Sequence, residues 1–217
     1  MPDDVAASKP NATRWLGYYT KKRITHQWTQ LLLVGMTDAV RILEIGPALG
    51  AVTALLRNAG YEVTTLDRLP QEFVSPRVPH ILCDLADLDP ADIAGHDAIL
   101  CCETLEHLPW NEVDGVLRKF HASGARHLMV SVPYMASQLT LDLYWNAHVF
   151  RRYFSLKKFT RFREFTPEPE FGHQWEVGYR GHDLKAWEEK LAKAGYSMRR
   201  REFSEHCRSV FHLLSRN

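Results

Sequence analysis

The stretch Arg41-Ile-Leu-Glu-Ile-Gly-Pro-Ala-Leu-Gly50 is an apolar strand run that breaks at Gly46 into a turn, and Ala51-Val-Thr-Ala-Leu-Leu-Arg57 follows as a good helix former. A strand, a glycine-flanked turn and a helix in that order build a nucleotide cradle, because the unpaired amides at the helix start point at whatever sits over the turn. Gly46 lets the chain leave the strand tightly and leaves room for a ligand where a Cβ would intrude. The next apolar run, Tyr61-Glu-Val-Thr-Thr-Leu-Asp67, ends in an acid about 20 residues after the glycines, where an adenosine ribose presents its hydroxyls.

Glu44 selects among nucleotides. A pyrophosphate beside a carboxylate would be repelled, whereas S-adenosylmethionine carries no phosphate and brings a sulfonium and an amino group. The Glu44-Ile-Gly46-Pro-Ala48-Leu-Gly50 run resembles the first motif, E-x-G-x-G-x-G, of the class I S-adenosylmethionine-dependent methyltransferases, with Ala48 in place of the middle glycine. If position 48 needs a positive φ, alanine there is strained by about 1–2 kcal/mol. The resemblance implies a Rossmann-like α/β fold: a seven-stranded, mostly parallel sheet with an antiparallel C-terminal hairpin and helices on both faces. It also implies cofactor contacts from Glu44, Gly46, Pro47, Ala48, Gly50, Asp67, Arg68, Asp84, Leu85, Cys102 and Glu103. Asp84, at the end of a third strand, is expected to meet the adenine together with the following amide; its alternative role is to cap the turn.

A chain of 217 residues, 45% hydrophobic, has enough apolar material for one sizeable core. We expect a domain over 37–217, an N-terminal helical extension over 1–36, and an acceptor-side insertion at about 134–172. Lys and Arg number 27 against 26 Asp and Glu, a formal charge of +1, so no global field recruits nucleic acid or an anionic membrane. Four cysteines, Cys83, Cys101, Cys102 and Cys207, fall in apolar runs rather than at metal-ligand spacing and read as reduced thiols. The N-terminal residues contain no apolar targeting core, and no run approaches the length of a membrane span; a cytoplasmic protein is expected.

Strand runs recur at Ile42 to Ile45, Val63 to Leu66, His80 to Cys83, Ala98 to Cys102 and Leu128 to Val132. Helices fall between or after them at Ala51 to Asn58, Asn111 to Ala122 and Asp183 to Ala194, the last followed by Gly195. Alternation of this kind means a parallel α/β sheet. Met198 to Phe203 and Val210 to Leu214 suit an antiparallel edge hairpin. Thr13 to Val34 reads as one helix whose face of Trp15, Tyr18, Tyr19, Trp28, Leu31 and Leu32 packs on the sheet.

The run after the fourth strand, Glu103-Thr-Leu-Glu106-His107, places three donors at i, i+3 and i+4 of a helical turn. Phe171-Gly-His173-Gln-Trp175-Glu176 supplies a second imidazole much later. The pair of motifs resembles the E-x-x-E-H turn and later histidine of two methyltransferase families, the metal-assisted small-RNA 3′-end 2′-O-methyltransferases and the ubiquinone-pathway O-methyltransferases. That resemblance implies Glu103, Glu106, His107 and His173 as ligands of a divalent ion, Mg, Mn, Zn or Fe. The same E-H-L turn also occurs in family members that bind no metal; His107 or His173 then serves as general base.

The basic and aromatic run His148 to Arg163 reads as an amphipathic helix with aromatics inward, rather than a stacking platform for single-stranded nucleic acid. Arg199-Arg-Arg201 reads as the solvated start of an edge strand. The function these features specify is methyl transfer from S-adenosylmethionine to a small molecule, by preference at oxygen. An RNA 2′-O-methyltransferase is the rival enzyme, and a non-catalytic protein that keeps the fold for partner contacts is the rival of another class. Oligomeric state is not written in the sequence.

Overall fold

The computed structural model describes residues 12–20, 23–71, 73, 77–136, 138–157, 162–167, 172–204 and 208–217. Cys207, Phe171 and part of the 148–163 run lie outside the described residues. In chain order the elements are α1 (Ala12–Tyr18), α2 (Ile24–Val34), β1 (Arg41–Ile45), α3 (Ala51–Asn58), β2 (Glu62–Asp67), β3 (His80–Leu82) and β4 (Ala98–Cys102). They continue with α4 (Val113–Ala122), β5 (His127–Pro133), β6 (Gln138–Trp145), β7 (Phe150–Lys157), α5 (Leu184–Lys193), β8 (Tyr196–Phe203) and β9 (Ser209–Arg216).

Seven strands form one sheet in the order β3-β2-β1-β4-β5-β9-β8. The first five run parallel, and β9 joins β5 antiparallel with β8 outside it. The chain winds outward from β1 through β2 to β3, then returns to β4 on the other side of β1. That reversal leaves a crevice at the carboxyl ends of β1 and β4, where open α/β sheets bind ligands. In the register Ile45 pairs with Cys101, so Gly46 and the Cys102-Glu103 step leave the sheet side by side.

Period-two alternation divides the core between the two faces of the sheet. Leu43, Ile45, Ile99, Cys101 and Val130 pack with Val116 and Phe120 of α4 and Trp187 of α5. Ile42, Leu100, Met129 and Phe211 pack with Leu33 of α2 and Val52 and Leu56 of α3. Glu44 shares the second face with Ile42, where its carboxylate Oε2 accepts a hydrogen bond from Thr53 Oγ1 of α3 at 2.6 Å. α5 starts as its sequence dictates: Asp183 caps it by accepting from the Ala186 amide at 2.8 Å, and Gly195 follows its end at φ 96°.

Two expectations are corrected. The single helix over Thr13 to Val34 is two helices, and the inward side of α2 carries His26, Gln27 and Gln30 beside Leu33 and Val34. Trp28 is 64% exposed, and Leu32 and Trp15 also face outward. The inward side of α2 is divided: Leu33 and Val34 pack on the sheet, while His26, Gln27 and Gln30 line a polar crevice beside it. The 148–163 run contributes a β-strand, not an amphipathic helix: β7 pairs with β6 as a separate two-stranded antiparallel sheet. Among the described residues no helix is long and apolar enough to cross a membrane.

Candidate active site

The glycine turn at the end of β1 carries three successive alternate residues at positive φ: Gly46 at 71°, Ala48 at 49° and Gly50 at 76°. Ala48 therefore sits in the left-handed conformation that costs a Cβ-bearing residue about 1–2 kcal/mol. The crowding at Gly46 comes from the protein itself, since a Cβ there would stand 2.7 Å from Thr104 Oγ1. A Cβ on Gly50 would meet the ring of Phe73 at 2.5 Å. Glycine is thus required at both positions for close passage of neighbouring segments as well as for backbone conformation.

Two cavities flank this turn. One, of about 190 Å³, is lined by Pro47, Ala48, Asp67, Gln71, His80 and Tyr18. The other, of about 50 Å³, is lined by Arg23, Gln27, Glu44, Gly46, Cys102 and Glu103. The step between α1 and α2 folds over both: the Ala51 amide, at the open start of α3, donates to Tyr19 Oη at 3.2 Å, and the Arg23 guanidinium stacks 4.5 Å from the Tyr18 ring. Burial pushes the Glu44 carboxyl up to about 7, against a smaller lowering by the Thr53 hydroxyl. Asp67 accepts from the Leu69 amide at 3.0 Å through Oδ1 and keeps a second oxygen for the cavity. Asp84 binds the Ala86 amide in the same way but lines neither of these cavities, and the Leu85 side chain is in the core. Arg68 is exposed, with its charge felt at His107.

After β4 the three donors of the E-x-x-E-H run do not share one face. Glu103 has φ 52°, which throws its carboxylate toward β5 and β9, where Oε1 accepts from Ser131 Oγ at 2.8 Å and Oε2 from Ser209 Oγ at 2.9 Å. Burial raises its carboxyl, and the two serine hydrogen bonds oppose that. Leu105 to His107 then form a short 3₁₀ turn, which carries Glu106 and His107 the other way. Glu106 is wholly buried, and among the described residues neither of its oxygens has a hydrogen-bond partner. Burial first, then the neighbouring Glu103 and Glu176, hold its carboxyl well above the usual carboxylate range.

His173 closes the group. Its Nε2 stands 4.0 Å from Glu106 Oε1, its ring lies 5.1 Å from that of His107, and one donor atom from each of the three residues falls within 4.8 Å of the others. Glu176 Oε1 meets His173 Nδ1 at 3.1 Å, a contact in which Nδ1 donates and which orients the ring with Nε2 toward Glu106. The His107 ring is held below the usual imidazole range by burial and by His173, opposed by a hydrogen bond to the Gly172 backbone. Two further hydrogen bonds tie the loop to the turn: the Gln174 amide donates to the Glu106 carbonyl at 2.8 Å, and the Trp175 indole to the Leu108 carbonyl at 2.9 Å. Trp175 is fully buried, edge-on to Trp110 at 4.6 Å.

Of the four expected ligands the structure therefore brings together Glu106, His107 and His173, while Glu103 faces the 50 Å³ cavity. A buried carboxylate with neither oxygen bonded, two imidazoles, and a second carboxylate orienting one of them suit a divalent cation, since donors on one ion stand about 3–4 Å apart. Sequence reasoning missed Arg23, Tyr19, Ser131, Ser209 and the role of Glu176. Only Glu176 had a local signal, its i+3 spacing from His173.

No protein-family model matches the chain, and none of the curated proteins matches it by sequence. Solved structures do match. The 1,6-didemethyltoxoflavin-N1-methyltransferase of Burkholderia thailandensis, bound to 1,6-didemethyltoxoflavin and S-adenosylhomocysteine, superposes with a TM-score of 0.60 at 16% identity, covering 94% of this chain and 86% of that one. The chain has the fold of the S-adenosylmethionine-dependent methyltransferases. Magnesium protoporphyrin IX methyltransferase from Synechocystis PCC 6803, with bound S-adenosylmethionine, gives 0.59 at 17% identity over 95% and 91%. The methyltransferase domain of bacterial CtHen1-CN gives 0.58 at 16% over 89% and 99%.

Proposed function

We propose that this protein transfers the methyl group of S-adenosylmethionine to a hydroxyl oxygen of a small molecule with the help of a divalent cation. The observation that carries this reading is the placement of the Glu106, His107 and His173 group beside a crevice furnished with Glu44, Asp67 and Glu103. The cofactor supplies the electrophilic methyl group. Asp67 would take the ribose hydroxyls through its second oxygen, beside the turn that lines the same cavity. Arg23 and the pair Glu44 and Glu103 face one another across the smaller cavity, an arrangement that suits the carboxylate and amino ends of an amino acid. Tyr18 and Tyr19 roof the crevice and keep water from it.

Glu106, His107 and Nε2 of His173 would hold the ion, with Glu176 keeping His173 in the right tautomer. A cation held there would supply Lewis acidity, lowering the pKa of an acceptor hydroxyl toward neutrality. Catalysis beyond that is alignment, since holding the attacking oxygen in line with the methyl group replaces a bimolecular encounter. With the ion absent, His107 is held neutral near pH 7 and is competent to accept the proton itself. The rival acceptor is an RNA 2′-hydroxyl. A balanced charge of +1 opposes it.

The test is calorimetric titration of chelator-treated protein with S-adenosylmethionine and, separately, with Mn²⁺, on wild type and on Glu106→Ala and His173→Ala. The reading expects a cofactor event in all three proteins and an Mn²⁺ event in wild type alone. A cofactor event with no Mn²⁺ event in wild type would leave histidine as the base. Silence toward cofactor at millimolar concentration would instead favour a fold kept for partner contacts.

A further inference from the structure

The hairpin of β6 and β7 is amphipathic in the wrong sense for a monomer. Residues directly opposite in an antiparallel pair point to the same face, and the pairs Leu139 with Leu156, Leu141 with Phe154 and Trp145 with Phe150 put one apolar row on a single face. That face is in solvent: Leu141 is 75% exposed, Trp145 80% and Phe154 66%. The other face, with Thr140, Asp142, Tyr153 and Ser155, is polar and half-buried. The hairpin thus turns its polar side to the body of the protein and its apolar side away, and no described segment covers that side.

A two-stranded sheet is marginally stable alone in water and needs a further layer on its apolar face. The area defines the layer's size. The apolar side chains of this face present roughly 900 Å² per chain, against about 800 Å² per partner in a standard protein interface. The face carries a single charge, Arg152, opposite Leu143 at one position, so two copies can stack apolar row on apolar row with the guanidinium at the rim. A chain of net charge +1 offers little attraction for an anionic surface. The geometry points to a two-fold homodimer in which the β6–β7 faces of two copies pack on each other. The hairpin springs from the segment that carries the candidate site: the Met135 amide donates to the Val177 carbonyl at 2.6 Å, and the Arg180 amide to the Arg163 carbonyl at 2.8 Å. Pairing the hairpins therefore steadies the segment that holds His173 and Glu176.

Sedimentation equilibrium of the full chain tests this, comparing wild type with Leu141→Asp/Phe154→Asp and with Thr140→Asp on the opposite face. Wild type and Thr140→Asp are expected to be dimers at micromolar concentration, and the double variant to dissociate at least about 100-fold more readily, with S-adenosylmethionine affinity unchanged. Hydrogen exchange guards against a misfolded hairpin: wild-type amides over 139–156 should exchange more slowly as protein concentration rises. A wild type that stays monomeric at about 100 µM, a dimer that survives the double variant, or a monomer whose hairpin is protected only on lipid vesicles would each overturn the proposal.

Discussion

The cofactor side and the acceptor side of the crevice are built in opposite ways. On the cofactor side, Glu44, the glycine turn and Asp67 come from one contiguous β1–α3–β2 unit, and each side chain that matters has a partner nearby in sequence: Thr53 for Glu44, the Leu69 amide for Asp67. On the acceptor side, Glu106 and His107 face His173, which lies 66 residues beyond His107 in the numbering and is held by Trp175, Gln174 and Glu176. In the first region Glu44 and Asp67 each find a partner within that unit. The second leaves a buried carboxylate unmatched, at a cost in stability that a cation would offset.

The largest expected effect attacks the acceptor side alone. Glu106→Ala or His173→Ala should weaken Mn²⁺ binding by about 1000-fold or more, because each removes one of three donors, while S-adenosylmethionine affinity stays within about threefold. Calorimetry on both ligands checks it, and parallel loss of both affinities would erase the division between the two sides.

On the cofactor side the strongest handle is pH. The Glu44 carboxyl stands at about 7 in the fold against an ordinary 4.5, so folding takes up a proton between those values. Its contribution is full below about pH 4.5, declines as pH rises, and is lost above about pH 7, a change of about 3 kcal/mol. The difference in urea-unfolding stability between ligand-free wild type and Glu44→Gln should follow that decline at pH 5, 6 and 7, because the buried histidines, His26 lowered to about 4 among them, add the opposite slope to both proteins alike. Glu103 and Glu106, both raised by burial, add to the decline, while His26, His107, His182 and His212, all lowered by burial, oppose it.

Asp67→Ala is expected to lower cofactor affinity by about 30-fold, the loss of a charged hydrogen-bond acceptor, with Mn²⁺ binding unaltered. Glu176→Gln sharpens the acceptor side: the proton on His173 Nδ1 loses its anionic partner, and ion affinity should fall by about tenfold with no change in cofactor affinity. The smallest effect tests strain in the glycine turn. Ala48→Gly removes a left-handed alanine but loosens the unfolded chain, for a net gain of about 0.5 kcal/mol and a Tm rise of about 1–2 °C.

The regular elements were legible where local pattern and tertiary demand agree. Ala98 to Cys102 and Ala51 to Asn58 have the bounds their sequence predicts, and Asp183 and Gly195 bracket α5 as caps should. The failures have a common cause. The reading of the aromatic side of α2 and of the 148–163 run assumes that apolar side chains go inward, yet Trp28 and Leu32 of α2 and the apolar row of the hairpin face outward: α2 turns in Leu33 and Val34 against the sheet and His26, Gln27 and Gln30 over the crevice, and among the described residues nothing covers the hairpin row. Glu103 failed as a member of the ion group for a backbone reason. Its φ of 52° breaks the helical spacing that would have aligned it with Glu106.

By itself the sequence determined the strand–turn–helix cradle, the order of the seven strands of the main sheet and of α3 to α5, and the residue types of the candidate site, since these depend on periodicity, glycine and capping over a few neighbouring residues. Only the tertiary structure decided that Glu103 turns to Ser131 and Ser209, that Arg23 and Tyr19 close over the glycine turn, and that His173 meets Glu106. Those outcomes rest on contacts between segments far apart in the chain, with energies set by burial and by the partner each polar atom finds, which no local pattern records.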